Sequence, residues 1–301
     1  MPGTSVQLSW NPFTDLQLLF QYHFMHNAFL AGTLIALAAG PVGYFMVLRG
    51  QAFAGHALAH VGFSGAAGAL LIGVSPLIGL LVVSVAAALG ISVLNNDSND
   101  TGAGSAVAIG TVYTFFLGLG LLFLQLYSGQ AENVYSILFG AVLGVSDGDV
   151  QVVVVTAAAT LGGLAIMGRP LFFASIDPDV AAAQGVPVRS LGLGFLVVLA
   201  FAVAQAVQVV GVLLIFALLV APAATAQRLT SRPGVAIGLS IALSLVFTWL
   251  GLAIAYFAPY AVVGFYITSL AFGTYVGVRL LELAGHQLAH AGNPARTRLA
   301  A

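Results

Sequence analysis

A chain of 301 residues that is 60% hydrophobic and 6% charged, with a net charge of -1 and a mean hydropathy of +1.06, is built for a bilayer; soluble domains carry about 25% charged residues. All 8 basic residues are Arg, so the chain has no Lys for a Walker A loop, a Schiff base or a retinal linkage, and no Cys for a disulfide, thiolate metal site or thiol nucleophile. The near-neutral charge and the absence of any basic run argue against a nucleic-acid partner.

The opening residues, 1–20, show no basic segment before an apolar core. They read as a short extracytoplasmic segment, with the first apolar helix as an uncleaved insertion signal. A membrane span needs about 20 apolar residues. Phe24–Leu48 is the first, closed by Arg49. No Asp, Glu, Lys or Arg lies between Arg49 and Asp97, an interval that holds two spans, Phe53–Ile72 and Pro76–Leu94, with Gly73–Pro76 as the turn. After the polar loop Asn95–Gly104 comes Ser105–Tyr127. The short apolar piece Val134–Val145 suits a re-entrant or interfacial helix better than a span. Val150–Met167 ends at Arg169, and a long polar interruption, Ser175–Arg189, follows. Leu191–Val209, Gly211–Ala226, Ala236–Phe257 and Val262–Val278 complete the set, and the tail from Glu282 reads as polar and frayed.

The fold class is therefore all-α, a polytopic transmembrane helical bundle of about nine spans, with eight or ten as alternatives if a segment is recounted. Placing the N-terminus outside puts Arg49, Arg169, Arg189, Arg228, Arg232, Arg279, Arg296 and Arg298 all on the cytoplasmic side, as the positive-inside rule requires. The expected topology is N-out and C-in, with a permease domain over 21–284 and a cytoplasmic tail over 285–301. The expected location is a bacterial cytoplasmic membrane, surrounded by lipid.

Within the second span, His56 and His60 are four residues apart and share one helix face. Gly55, Ala59, Gly62 and Ala66 form a small-residue stripe beside them, which permits close helix packing. Imidazole binds metal ions, and ionisable residues inside a membrane are costly and usually functional. The plain alternative is a pair of histidines that hydrogen-bond to neighbouring helices. His23 and His26, at the outer end of the first span, form a weaker candidate site at the mouth of a pathway, or stand in interfacial water. His286 and His290 repeat the four-residue spacing in the tail, where a solvated helix is the default. Asp147 and Asp149 either steer cations or cap the fifth span.

In the loop Ser175–Arg189, Asp177 and Pro178 have the pattern of an N-cap and a first helical residue. Gly185 supplies a C-cap and Pro187 prevents continuation. A short capped helix on the Arg-rich side either docks into another protein or lies on the membrane surface. Pro222, inside an apolar span, is expected to kink it, whether for gating or as plain architecture.

Five stretches in order carry a family resemblance. Gly40–Arg49 resembles a Gly-rich first helix ending in Val-Leu-Arg. Gly55–Gly65 resembles a Gly-Asp-x-x-x-His-x-x-x-Pro-Gly helix, and Leu138-Phe139-Gly140 matches a short signature. Asp177–Val186 resembles an Asp-Pro-Glu-x-Ala-x-x-x-Gly-(Val/Leu) loop. Gly211–Leu229 resembles a Gly-Val-Leu-Leu…Pro-Ala-Ala-Thr-Ala segment. Over Phe24–Arg279 the chain is thus similar to the membrane permease subunits of zinc, manganese and iron ABC importers. The resemblance implies a type II importer-like permease that works as a homodimer. Its partners would be a separate cytoplasmic ATP-binding subunit and an extracytoplasmic metal-binding protein. It implies a coupling helix within 175–189, with Asp177, Pro178, Ala181, Gln184, Gly185 and Val186 at the matching positions.

Two positions depart from the pattern: His56 stands where the family usually has Asp, and Ser64 where it has Pro. Imidazole suits zinc and iron, whereas carboxylate and water suit manganese. The expected substrate is a divalent transition metal, Zn2+ before Mn2+ or Fe2+, with no permanently bound cofactor and no enzymatic activity of the chain's own. A stand-alone secondary cation carrier is the alternative. The near absence of Asp and Glu from the spans counts against it, because proton or sodium coupling usually relies on them. An intramembrane metalloenzyme is excluded because His56–His60 has zincin spacing without the Glu base.

Overall fold

The structure is a computed structural model, and it describes residues 23–95, 103–127, 145–257 and 262–291. The described residues are helical, with no strand: α1 (His23–Leu48), α2 (Ala52–Leu71), α3 (Pro76–Leu94), α4 (Ala103–Leu126), α5 (Asp147–Ile176), α6 (Pro178–Ala183), α7 (Val188–Val210), α8 (Val212–Leu229), α9 (Pro233–Phe257) and α10 (Val263–Ala291). The expected piece Val134–Val145 lies outside the described residues apart from Val145, as does the signature Leu138–Gly140.

Among the described residues, seven helices are long and apolar enough to cross a membrane: α1, α3, α4, α5, α7, α9 and α10. The other two long helices are α2, whose positions go largely to Gly, Ala and the two histidines, and α8, which closes on Gln227-Arg228-Leu229.

The bundle has two flanks around a middle. On one side α2 packs against α3 and α4; on the other α8, α9 and α10 pack together. Between them α1 touches α5, α7, α8 and α9, while α2 reaches across to α7 and α8. Small residues set the closest crossings. A Cβ on Gly65 would collide with the carbonyl oxygen of Gly79, and one on Gly43 with that of Leu219, so α2–α3 and α1–α8 meet backbone to backbone. Polar groups tie the same crossings. Ser240 donates to the carbonyl of Gly40 at 2.9 Å, Gln227 to that of Tyr44 at 2.9 Å, and buried Thr156 to Gln205 at 3.1 Å. In an apolar interior each such donor needs a partner. The apolar outer faces of α4 and α10 (Phe115, Leu121, Phe272, Leu281) are open, as lipid-facing surface should be.

Two helices run past their expected ends. The fifth span does not stop at Arg169: α5 continues through Pro170 to Ile176, because Leu171 and Ala174 are buried and hold the extra turns. The tail is not frayed from Glu282 either. α10 continues to Ala291, and Glu282 accepts a 2.8 Å ion-paired hydrogen bond from Arg228 on α8. Hydropathy marks what a bilayer can hold, not where backbone hydrogen bonding stops.

Candidate functional site

Helix α2 is buried along most of its length, and its small residues are what admit the neighbours. Gly55 faces the sulfur of Met46, Gly62 faces Ser84 and Leu80, and Gly120 of α4 lies against Ser64. The sequence departure at Ser64 is harmless to the helix. Its hydroxyl donates to the carbonyl of Val61 at 2.7 Å, and α2 runs straight through it.

His56 and His60 are half-buried on this helix. Their ring centroids are 4.6 Å apart, edge to face, so the structure brings the two predicted ligands together. Tyr113 of α4 stands beside both, 5.9 Å from the His60 ring and 6.5 Å from the His56 ring. Sequence reading missed Tyr113. The only signal was a tyrosine in a largely apolar span, which is too common to single out.

At the outer ends of α1 and α5 a second polar group assembles. His23 pairs with Asp147 at 3.0 Å, and both are largely exposed. Buried Asn27 donates to Asp147 at 2.7 Å and to the carbonyl of Val145 at 3.2 Å. His26 is exposed on the same helix. Asp149 takes the capping role: with Ser146 it forms a reciprocal capping box at the start of α5. Asn27 was legible only as a polar residue one turn after His23. Among the described residues, no three His, Asp or Glu side chains come together as a metal-binding group.

Helix α6 has the predicted ends. Asp177 accepts from the amide of Val180 at 3.0 Å, and Pro178 fills the first turn. The amides of Gly185 and Val186 close back onto Ala182 and Ala181, each at 3.0 Å, a Schellman termination that needs the left-handed φ of +83° at Gly185. Ala181 is fully buried and Val186 packs against the core, so these two seat the helix. Pro178, Asp179, Val180 and Gln184 point outward. Pro222 sits buried inside α8, which stays helical on both sides of it. Pro41 and Pro170 likewise lie inside α1 and α5. His286 and His290 fall on the last turns of α10.

Arg49, directly after α1, is half-buried, and that burial lowers its pKa from the usual Arg value without discharging it. Its Nη1 donates to Ser175 Oγ at 3.3 Å, and its guanidinium carbon lies 5.7 Å from the centroid of the Phe195 ring.

Residues 21–282 match the ABC 3 transport family. The chain is 33% identical over 244 residues to the manganese transport system membrane protein MntC of Listeria innocua, covering 80% of this chain and 85% of that protein. It is 29% identical over 239 residues to a protein of Haemophilus influenzae described as a probable iron transport system membrane protein, covering 78% and 86%. Among solved structures, PsaBC from Streptococcus pneumoniae in complex with Fab superposes with a TM-score of 0.77 at 30% identity, over 88% of this chain and 94% of that one.

Proposed function

This chain belongs to the ABC 3 transport family, and we propose that it is the membrane permease of an ATP-driven importer of divalent transition-metal ions. The observation that carries the metal reading is the pair of imidazoles, 4.6 Å apart on a helix whose other faces are closed by packing. Family membership supports an ATP-driven permease over a stand-alone carrier. The lack of Lys supports an ATPase on a separate chain.

One copy offers two imidazoles, whereas zinc prefers four ligands. A homodimer with the pathway on its two-fold axis would present His56 and His60 twice. An ion held there must also leave, so a transient or incomplete shell suits conduction. His23 and His26 stand at the outer mouth. Helix α6 is the coupling helix: it meets the ATPase through its outward residues Pro178, Asp179, Val180 and Gln184, with Asp177 and Gly185 shaping its ends and Ala181 and Val186 holding it in the bundle. The nine long helices among the described residues are nine spans, N-out and C-in, in a bacterial cytoplasmic membrane. Pro222 bends α8. An extracytoplasmic metal-binding protein delivers the ion.

Two imidazoles favour zinc as the substrate. The names of the Listeria and Haemophilus relatives support a second reading, manganese or iron. The deciding experiment is ATP-dependent uptake of radioactive zinc, manganese and iron by the complex reconstituted with its ATPase and binding protein. Uptake of none of the three would sink the proposal, and the rank order among them chooses the substrate.

A further inference from the structure

Helix α6 hangs between two arms, the end of α5 and the start of α7, and one side chain from the turn after α1 touches both arms. Arg49 donates to Ser175, two residues before the α6 N-cap Asp177. Its guanidinium also lies over the ring of Phe195, and its Nη2 is 3.6 Å from where a Cβ on Gly192 would stand, both within the first turns of α7. The planar, delocalised head of Arg suits a hydrogen bond at its edge and a ring against its face at once.

The backbone carrying Arg49 leads without slack to the histidine helix. The turn Arg49–Gln51 is closed by hydrogen bonds from the amide of Gly50 to the carbonyl of Val47 at 3.1 Å and from the amide of Gln51 to that of Met46 at 2.9 Å, with Gly50 in the left-handed region at φ +64°. Helix α2 begins at Ala52, and Gly55, the residue before His56, is seated on the sulfur of Met46. A displacement of the turn therefore reaches His56 within about one helical turn of α2.

The same turn is not saturated. Arg49 Nε and Gln51 Oε1 are both buried and have no hydrogen-bond partner among the described residues. An unused buried donor or acceptor is destabilising, so a second arrangement of the turn has hydrogen bonds to gain. Coupling between distant sites requires an element with two arrangements that both sites can bias.

We propose that Arg49 is the positioning residue that transmits movement of the coupling helix α6, through Ser175 and Phe195, to the start of the histidine helix α2. The inference rests on the reading of α6 as the ATPase contact. When α5 and α7 shift at the α6 base, the guanidinium follows, the Arg49–Gln51 turn rearranges, and His56 and His60 move relative to Tyr113.

The test uses the full complex, permease with its ATPase subunit and binding protein, in proteoliposomes supplied with Zn2+ and, in parallel, Mn2+. The readout is metal ions imported per ATP hydrolysed, together with metal bound per permease in detergent. Arg49→Ala should lower the import ratio by at least about tenfold, within the range of coupling free energies between sites, with metal binding unchanged. Arg49→Lys should not rescue it, because an ammonium lacks the flat head. Ser175→Ala should lower the ratio by about two- to fivefold, the worth of one hydrogen bond. If Arg49→Ala does not assemble, Ser175→Ala and Phe195→Leu carry the test, and a normal ratio in both overturns the proposal. A normal ratio in Arg49→Ala, beside an uncoupled Gly185→Trp complex, overturns the Arg49 link and leaves the coupling helix standing. A normal ratio in both Arg49→Ala and Gly185→Trp removes the coupling-helix reading as well.

Discussion

The imidazoles of His56 and His60 meet edge to face, 4.6 Å between centroids, on the one half-open stripe of an otherwise enclosed helix. Because the two rings are neighbours, an ion that touches one is within reach of the other. His60→Ala should lower metal uptake by about 10–100-fold, the loss typical even of groups that only support a ligand, while the complex still assembles. His56→Asp should retain transport and move the preference from zinc towards manganese, since carboxylate oxygen suits the harder ion. Normal radiometal uptake by the double His56→Ala, His60→Ala protein would mean that the pair is structural.

Tyr113 flanks both rings from α4, and its aromatic face limits where they can turn. Aromatic contacts of this kind are worth about 0.5–1.5 kcal/mol. Tyr113→Phe should keep uptake within about twofold, and Tyr113→Ala should reduce it by roughly two- to tenfold, the same energy expressed as a rate. Equal uptake by Tyr113→Phe and Tyr113→Ala would show that the ring does not position the pair.

Gly185 ends α6 at φ +83°, with nothing within 4 Å of where a Cβ would be. A larger residue meets open space but strains the backbone, at about 1–2 kcal/mol for a left-handed conformation. Gly185→Trp should thus leave the bundle folded, distort the exposed face of α6 and separate ATP hydrolysis from import. Measured uptake and hydrolysis in the same vesicles decide it; full coupling counts against α6 as the ATPase contact.

Asn27 on α1 is buried and holds Asp147 and the carbonyl of Val145 at the head of α5. Asn27→Ala removes both bonds and leaves the Val145 carbonyl without that donor. The expected cost is about 1–3 kcal/mol, visible as a lower midpoint in a thermal melt of the detergent-solubilised permease. Asp147→Asn keeps an acceptor for Asn27 and should cost less. An Asn27→Ala melt identical to the parent would remove the α1–α5 clamp from the account.

The absence of Cys makes topology directly measurable. Cysteines placed at Gly73, in the α2–α3 turn, and at Asp179, on α6, should behave oppositely in intact cells. An impermeant thiol reagent should label Gly73→Cys from outside and spare Asp179→Cys. Ser98→Cys, in a loop outside the described residues, should be spared as well. Outside labelling at Asp179→Cys would invert the N-out, C-in reading.

Much of this was readable from pattern. Apolar runs and their breaks located the helices, because a bilayer admits only segments that satisfy their own backbone hydrogen bonds. The ends of α6 were explicit in Asp177, Pro178 and Gly185, because capping is a local interaction among residues close in sequence. The same locality explains what failed. The extensions of α5 to Ile176 and α10 to Ala291 depend on Leu171 and Ala174 finding a core and on Glu282 finding Arg228. Those partners are distant in the chain.

The sequence by itself determined that this is a helical membrane protein, that His56 and His60 share a helix face, and that a short capped helix interrupts its second half. Periodicity, composition and capping all act over a few residues, so they are written locally. Only the tertiary structure decided that Tyr113 stands beside the histidines, that Asp147 answers His23 and Asn27, and that Arg49 touches both arms of α6. Each of these joins residues separated by at least two dozen positions. No local propensity encodes such a pairing; it follows from which small-residue faces allow which helices to pack.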